Sequence, residues 1–372
     1  MIVAVPKESY SGEKRVALIP SHIALLIRSG LEILVETGAG LPSGYADSAY
    51  ESKGAKIIKN KKELFSAADI LLFVRGDNPE DLEKMKKNTI FIGQLNPYDM
   101  EKQITILKKN GLTAFAMELI PRISRAQSMD VLSSMASIAG YKAGIMAADH
   151  LHKIFPMMMT AAGTVTPAKI LIIGAGVAGL QAIATTHRLG ALVTSYDIRP
   201  AVKEQVESLG AKFLELDLDT GDSEDKGGYA REMDDEFYKK QQEMLSDAIA
   251  ASDVVITTAS IPGKKSPILI TSHMVERMQS GSVIIDLAAE RGGNCEDTSP
   301  GETTVKNGVM IIGPYNLPSQ VAYHASQLYS KNISSFLGLL IKEGEIDINE
   351  EDEIIKATLI SREGEFLFGK EE

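Results

Sequence analysis

The 372 residues exceed what one ordinary hydrophobic core absorbs, so two domains are expected. Hydrophobic residues make up 44% and charged residues 24%, the balance of a water-soluble globular chain; the single cysteine, Cys295, excludes an internal disulfide and suits a reducing compartment. The formal net charge of −11 repels phosphate backbones and argues against nucleic acid as a partner.

Met1 runs straight into Ile2-Val-Ala-Val5 with no basic or apolar leader ahead of it, so no signal peptide is expected. Residues 2–5, 32–35, 70–74, 89–92 and 113–116 read as strands, with helical stretches such as 23–28, 82–87 and 101–109 between them. Alternation of this kind predicts parallel β-α units with helices on both sheet faces. None of these strands leads into a glycine-rich turn, so this unit is not expected to carry a dinucleotide. A helical pattern over 131–155 predicts a bridge into the second domain. Residues 169–173 open a new β-α series, with later strands at 192–196, 212–216, 254–257, 283–286 and 309–312. A helical run over 322–340 predicts a return to the first domain, and the acid-rich 343–353 reads as solvated surface. The expected fold is α/β: two doubly wound, parallel-sheet, Rossmann-like domains joined by long helices. Residues 1–135, completed by 321–372, form one; residues 136–320 form the other.

Gly174-Ala-Gly-Val-Ala-Gly179 follows the apolar strand and opens a helix over 177–189. Gly174 permits the tight turn, Gly176 lets backbone approach a pyrophosphate, Gly179 lets helix and strand pack closely, and the helix N-terminus faces the negative charge. The next strand ends on Asp197, where a carboxylate accepts from ribose hydroxyls and repels a 2′-phosphate, which favours NAD over NADP. Arg199 pulls the other way, since a guanidinium there could accept a phosphate. The uncharged stretch 170–186 is short for a bilayer and is broken by these glycines, so no membrane span is expected.

Residues 217–235 are polar and interrupt the β-α rhythm at the carboxyl end of a strand, which suggests a lid with Gly227-Gly228 as hinge and Tyr229 as the closing group. In the segment 121–133, Arg122, Gln127, Asp130 and Ser133 could meet a nicotinamide carboxamide and its ribose. Equally, Asp130 could cap the following helix while the arginines face solvent. Spacing does not choose between the two.

The run Arg122-Ile-Ser-Arg-Ala-Gln-Ser-Met-Asp130, with Leu132-Ser-Ser134 and Ala139-Gly-Tyr141, resembles the NAD(H)-binding component of proton-translocating NAD(P) transhydrogenase. So do the glycine turn with Gln181-Ala-Ile-Ala-Thr185, Lys203-Glu-Gln-Val-Glu-Ser-Leu-Gly210, Ile261-Pro-Gly-Lys264, Gly281-Ser-Val-Ile-Ile-Asp-Leu287, Gly292-Gly-Asn-Cys295 and Asn316-Leu-Pro-Ser319. The likeness covers nearly the whole chain and carries no membrane helices, so the chain looks like the alpha-type subunit of an assembly whose other parts are separate chains. The resemblance implies a homodimer that passes hydride from its NADH directly to NADP⁺ on a beta-type partner subunit, which alone holds NADP(H). It further implies a small membrane alpha subunit as partner, a cytoplasmic place against the inner membrane, and proton translocation elsewhere in the assembly. It implies that Arg122, Asp130 and Ser133 orient the nicotinamide and that Gln127 reaches the partner's nucleotide. Cofactor contacts would come from Ile123, Ser124, Arg125, Ser128 and Met129 in the same loop, Val177 at the pyrophosphate, and Asp197, Ile198 and Arg199 at the ribose. Gly228, Tyr229 and Gln241 would fall on the lid, and Ser260 after the Thr257-Thr-Ala259 strand end. Gln320 departs from the family pattern, which usually has an arginine after Asn-x-Pro-Ser.

Arg15-Val-Ala-Leu-Ile-Pro20 is shared with alanine dehydrogenase, the alternative. Oxidative deamination needs a base, and that family uses a histidine with a lysine; here the corresponding segments read Val74-Arg-Gly-Asp77 and Gly93-Gln-Leu-Asn-Pro97. Hydride transfer between two nicotinamides moves no proton at the reacting carbons and needs no such base. A non-catalytic NAD sensor would have no use for the polar 122–133 loop. His22, His150, His152, His187, His273 and His324 show no metal-ligand grouping, so no metal site is expected.

Overall fold

The computed structural model describes residues 1–215, 235–260, 263–342 and 344–369. The chain forms two compact units, Met1–Met135 with Pro318–Glu372, and Ala136–Leu317. It begins with β1 (Ile2–Val5), β2 (Glu32–Glu36), β3 (Lys56–Ile58), β4 (Ile70–Arg75), β5 (Ile90–Gln94) and β6 (Thr113–Ala116). The second unit holds β7 (Met158–Thr160), β8 (Gly163–Val165), β9 (Lys169–Ile173), β10 (Leu192–Tyr196), β11 (Lys212–Phe213), β12 (Val254–Thr257), β13 (Val283–Asp286), β14 (Thr303–Lys306) and β15 (Val309–Ile312). β16 (Ile341–Lys342), β17 (Glu345–Ile346), β18 (Leu359–Arg362) and β19 (Glu365–Phe366) belong to the first.

The first unit's sheet runs β19-β18-β6-β5-β4-β1-β2-β3, with β1 to β6 parallel. β4 is buried at every position but its last, because helices cover both faces of a parallel sheet. One face packs Leu71, Phe73 and Phe91 with Phe65, Leu82 and Leu107. Over Phe115 lies the helix Ala322–Leu340, whose Phe336 ring meets Phe115 edge-on at 5.5 Å; its Tyr329 Oη donates to the Phe73 carbonyl at 2.8 Å. In the second unit the order is β11-β10-β9-β12-β13-β15-β14, parallel except for the β14 edge. Ile170 and Ile172 join one core layer and Leu171 and Ile173 the opposite one, the period-two signature of a sheet covered on both faces. Both sheets are parallel-dominated and doubly wound, as the sequence predicts.

The structure departs from the sequence expectations at particular places. The bridging helix ends at His150, not 155, and an antiparallel hairpin of β7 and β8 follows. Leu151 and Phe155 are buried at a helical spacing, but Phe155 is already in irregular chain, its carbonyl accepting from Ala168 N at 3.0 Å. The helix expected over 82–87 is Pro79–Lys84, started by Asn78, whose side chain caps Glu80 N, and by proline in the first turn. β14 carries no apolar strand signal because Thr-Thr-Val-Lys gives it no apolar face: Thr303 and Val305 are exposed and Thr304 and Lys306 half-buried. The C-terminal segment supplies more than a packing helix: β18 pairs antiparallel with β6 and extends the sheet.

Candidate functional site

In the second unit, β9→β10→β11 winds one way from β9 and β12→β13→β15 the other. The switch point lies between β9 and β12, the place where ligands of open α/β sheets bind. Gly174, at φ 98°, turns the chain there, and its N–H donates to the Tyr196 carbonyl at 2.8 Å. A Cβ on Gly174 would stand 2.5 Å from Thr258 Oγ1, and one on Gly179 1.9 Å from the Gly174 carbonyl oxygen. Those two glycines are demanded by the fold itself. Gly176 is not: its φ of −74° suits any residue, and a Cβ there would meet no protein atom within 4 Å. Helix Val177–Arg188 starts from Gly176 with no side-chain cap among the described residues, leaving its first N–H groups to other acceptors.

Asp197, 8% exposed, is fastened to this turn: Oδ2 accepts from Ala175 N at 2.7 Å and from Arg199 Nη2 at 2.9 Å. Oδ1 accepts from Arg199 N at 2.8 Å and Arg199 Nε at 2.9 Å. The sequence presents Asp197 as a bare charge; the structure makes it half of a chelated ion pair. Val177 and Ile198 are half-buried beside these groups in the chain. Gln241, on helix Asp235–Ala250, donates through Nε2 to Tyr196 Oη at 2.7 Å, while its buried Oε1 has no partner among the described residues. Burial pushes the Tyr196 phenol up to about 12, with the Gln241 bond opposing and the Asp197 charge adding. Gly228 and Tyr229 lie outside the described residues.

Sequence reasoning missed Asp286. Fully buried at the end of β13, it accepts from Thr257 Oγ1 (2.9 Å), Ala288 N (3.0 Å), Asn294 N (2.8 Å), Cys295 N (3.0 Å) and Thr298 Oγ1 (2.7 Å). Asn294 in turn exchanges bonds with Ala259 N and O, which fixes the backbone next to the exposed Ser260. A carboxylate ending an all-apolar strand, Val-Ile-Ile-Asp, was the available signal.

In the first unit, Ser124–Met129 is a 3-10 turn leading into helix Val131–His150. Asp130 caps that helix: Oδ1 accepts from Ser133 N at 2.8 Å and Oδ2 from Ser133 Oγ at 2.5 Å. Ala126 and Met129 are buried anchors, and the Ser128 carbonyl accepts from Asn332 Nδ2 at 2.9 Å. Arg125 forks onto Asp352 at 2.8 and 2.9 Å, so a residue of the acid-rich segment holds the loop. Arg122, Ser124, Gln127 and Ser128 are exposed on the turn or half-buried in it, as are Ile123, Asp130 and Ser133. Asp130 therefore performs the capping role, which leaves open a second role toward a ligand.

The switch point of the first unit lies between β1 and β4, and its own side chain fills it. Glu8 accepts there from Val74 N at 2.7 Å and Arg75 N at 3.0 Å. Burial pushes the Glu8 carboxyl up to about 8, against those bonds. Glu118, after β6, accepts from Leu95 N and Asn96 N and is raised by burial to about 7. Glu13 goes the other way: burial alone would raise it, but Arg15 and Ser319 hold it at about 2. That contact gives Asn316-Leu-Pro-Ser319 a structural purpose, while Gln320 is exposed. Among the described residues no group of histidine, cysteine or carboxylate side chains could hold a metal ion.

The chain is similar along its length to known proteins. Family models described as alanine dehydrogenase/PNT, N-terminal domain and C-terminal domain, match residues 4–139 and 143–369. The first part of the NAD(P) transhydrogenase alpha subunit of Rhodospirillum rubrum is 45% identical, over 98% of this chain and 97% of that protein. A solved transhydrogenase from Sinorhizobium meliloti superposes with a TM-score of 0.89 at 44% identity, covering 99% of this chain and 100% of that one. The alanine dehydrogenase of Bacillus subtilis is 33% identical over 86% of this chain and 80% of its own length.

Proposed function

The chain belongs to the alanine dehydrogenase/PNT family, and from that premise we propose that it is the NAD(H)-binding subunit of an NAD(P) transhydrogenase. Its partners would be a beta-type subunit carrying NADP(H) and a small membrane subunit, with proton translocation in those chains and this one on the cytoplasmic face. Residues 136–320 would be the nucleotide-binding domain, alongside residues 1–135 with 321–372. The observation that carries the nucleotide reading is Gly176. The fold needs glycine at 174 and 179 but not at 176, so its missing side chain serves something that lies against the turn. Val177 and the neighbouring N–H groups would hold the pyrophosphate, and Asp197, Ile198 and Arg199 the adenosine ribose. Gly228, Tyr229, Gln241 and Ser260 would complete the pocket. When bound, NADH supplies the hydride. Arg122, Asp130 and Ser133 would orient its nicotinamide end with Ile123, Ser124, Arg125, Ser128 and Met129 around them, and Gln127 would reach the partner's nucleotide.

Transhydrogenation is favoured over alanine oxidation by the chain leaving β5, where Gln94 ends the strand and Asn96 follows, its amide donating to Asp99 at 2.8 Å. An amide is no proton acceptor for an amine, and hydride exchange between nicotinamides asks for none. Dimerisation is supported by the β7–β8 hairpin: every residue of both strands is exposed, and Met157 beside them is 62% exposed and Met159 76%. A lone two-stranded hairpin is marginal in water. Residues 154–168 carry no charge, the kind of surface through which two copies of a −11 chain can meet. Among the described residues no helix is long and apolar enough to cross a membrane.

The deciding experiment mixes the purified chain with an NADP(H)-binding transhydrogenase domain and follows hydride exchange between the two nucleotides. Exchange without alanine-dependent NAD⁺ reduction is expected. Alanine-dependent reduction would favour the dehydrogenase, and neither activity would refute both.

A further inference from the structure

The acceptor capacity of Asp197 is full. An ionised carboxylate offers about four lone-pair positions, and among the described residues four N–H groups use them: Ala175 N, Arg199 N, Arg199 Nε and Arg199 Nη2. Two of the four are backbone donors set by the turn and by the residue-199 peptide. The other two belong to one guanidinium, whose side chain is 12% exposed against 5% for that of Asp197. Ribose hydroxyls can donate to this carboxylate only where an existing donor leaves, and the guanidinium is the donor able to rotate away.

We propose that Arg199 competes with the nucleotide for Asp197, so that binding exchanges the guanidinium for ribose hydroxyls and the pair, not Asp197 alone, sets the preference between NADH and NADPH. This rests on the nucleotide reading above and narrows the part of Arg199 in it, from a group that holds the ribose to one that yields Asp197 to it. While Arg199 stays on Asp197 the pair has no net charge, and a guanidinium displaced by a 2′-phosphate remains close enough to pair with it. Arg199 thus weakens both NADH binding, by occupying the carboxylate, and the penalty against NADPH, by offsetting it. Removing the guanidinium leaves both backbone donors in place and a carboxylate that is open to hydroxyls and hostile to phosphate.

The test is equilibrium titration of NADH and of NADPH with the full chain, its Arg199→Met variant and its Arg199→Lys variant. For Arg199→Met the NADH Kd should fall, the NADPH Kd should rise, and their ratio should move toward NADH by about tenfold, a difference of about 1.4 kcal/mol. Lysine keeps the charge without the fork, so Arg199→Lys should shift the ratio the same way by less. A merely structural role would weaken both nucleotides in parallel, and that result, or a ratio moving toward NADPH, overturns the proposal. If Arg199→Met does not fold, Arg199→Lys decides: an unchanged ratio refutes the competition. If the unaltered chain binds neither nucleotide, the failure belongs to the nucleotide reading instead.

Discussion

Replacing Gly179 and Gly176 by alanine separates what the turn does for the fold from what it does for a ligand. A methyl on Gly179 would lie 1.9 Å from the Gly174 carbonyl oxygen, which is backbone and cannot rotate aside. The helix must move off β9, and overpacking of this kind costs roughly 1–3 kcal/mol. For a domain the size of the second unit, that lowers Tm by about 2–12 °C at about 2–4 °C per kcal/mol. Gly176→Ala has no such cost. Its φ of −74° is ordinary for alanine, nothing lies within 4 Å, and the stiffer unfolded chain raises stability by about 0.4–1 kcal/mol. NADH should respond the other way round at position 176, because a methyl there holds the pyrophosphate off the backbone and weakens binding about tenfold or more. Calorimetric melting paired with NADH titration reads both quantities. If Gly176→Ala binds NADH as the unaltered chain does, or melts as low as Gly179→Ala, then Gly176 serves packing and the ligand inference from it fails.

Gln127→Ala should slow hydride exchange with the NADP(H)-binding partner by roughly tenfold to a hundredfold, the worth of about 1–3 kcal/mol of hydrogen bonding; NADH affinity should hardly change, and a defect confined to NADH affinity would remove Gln127 from the exchange. Glu8 and Glu118 give the first unit an acid-side stability. The unfolded carboxyls lose their protons near 4.5, while the folded ones keep them to about 8 and about 7, so stability should fall as pH rises through that window and level off above about 8. Urea unfolding across that range should show Glu8→Gln with a flatter profile, and parallel profiles would mean that Glu8 ionises normally; Glu13, held at about 2, adds no slope there. Cys295, buried and pushed up to about 12, should resist alkylation in the folded chain and react only on opening, so a labelling rate matching that of a free thiol would contradict its burial.

Residues 2–5, 113–116, 169–173, 254–257 and 283–286 are strands in the structure as in the sequence, because each holds an apolar run of three or four residues between turns, which has few other uses. Helix Ala322–Leu340 was equally legible from its periodicity. Weak or polar strands were not: β3, β14 and the short β16 to β19 are strands only because a neighbour offers backbone partners. The hairpin of β7 and β8 was hidden by Leu151 and Phe155, whose burial imitates helical spacing.

The chain by itself determined the glycine turn, since the positive φ of Gly174 and the closeness of Gly179 to the Gly174 carbonyl arise within six residues of backbone, while the crowding of Gly174 by Thr258 comes from a distant strand. It also determined the alternation of strand and helix, since hydrophobic period is a local quantity. Only the tertiary structure decided which charges are spent on one another. Arg125 and Asp352 are 227 residues apart and Glu13 and Ser319 are 306 apart, while Asp286 collects donors from three segments. Even Arg199 and Asp197, two residues apart, form their pair only because the turn sets Ala175 N on the same carboxylate and burial removes competing water. A sequence records which groups carry charge. Whether a charge faces a ligand or a neighbouring side chain depends on how the strands align and what they exclude from solvent.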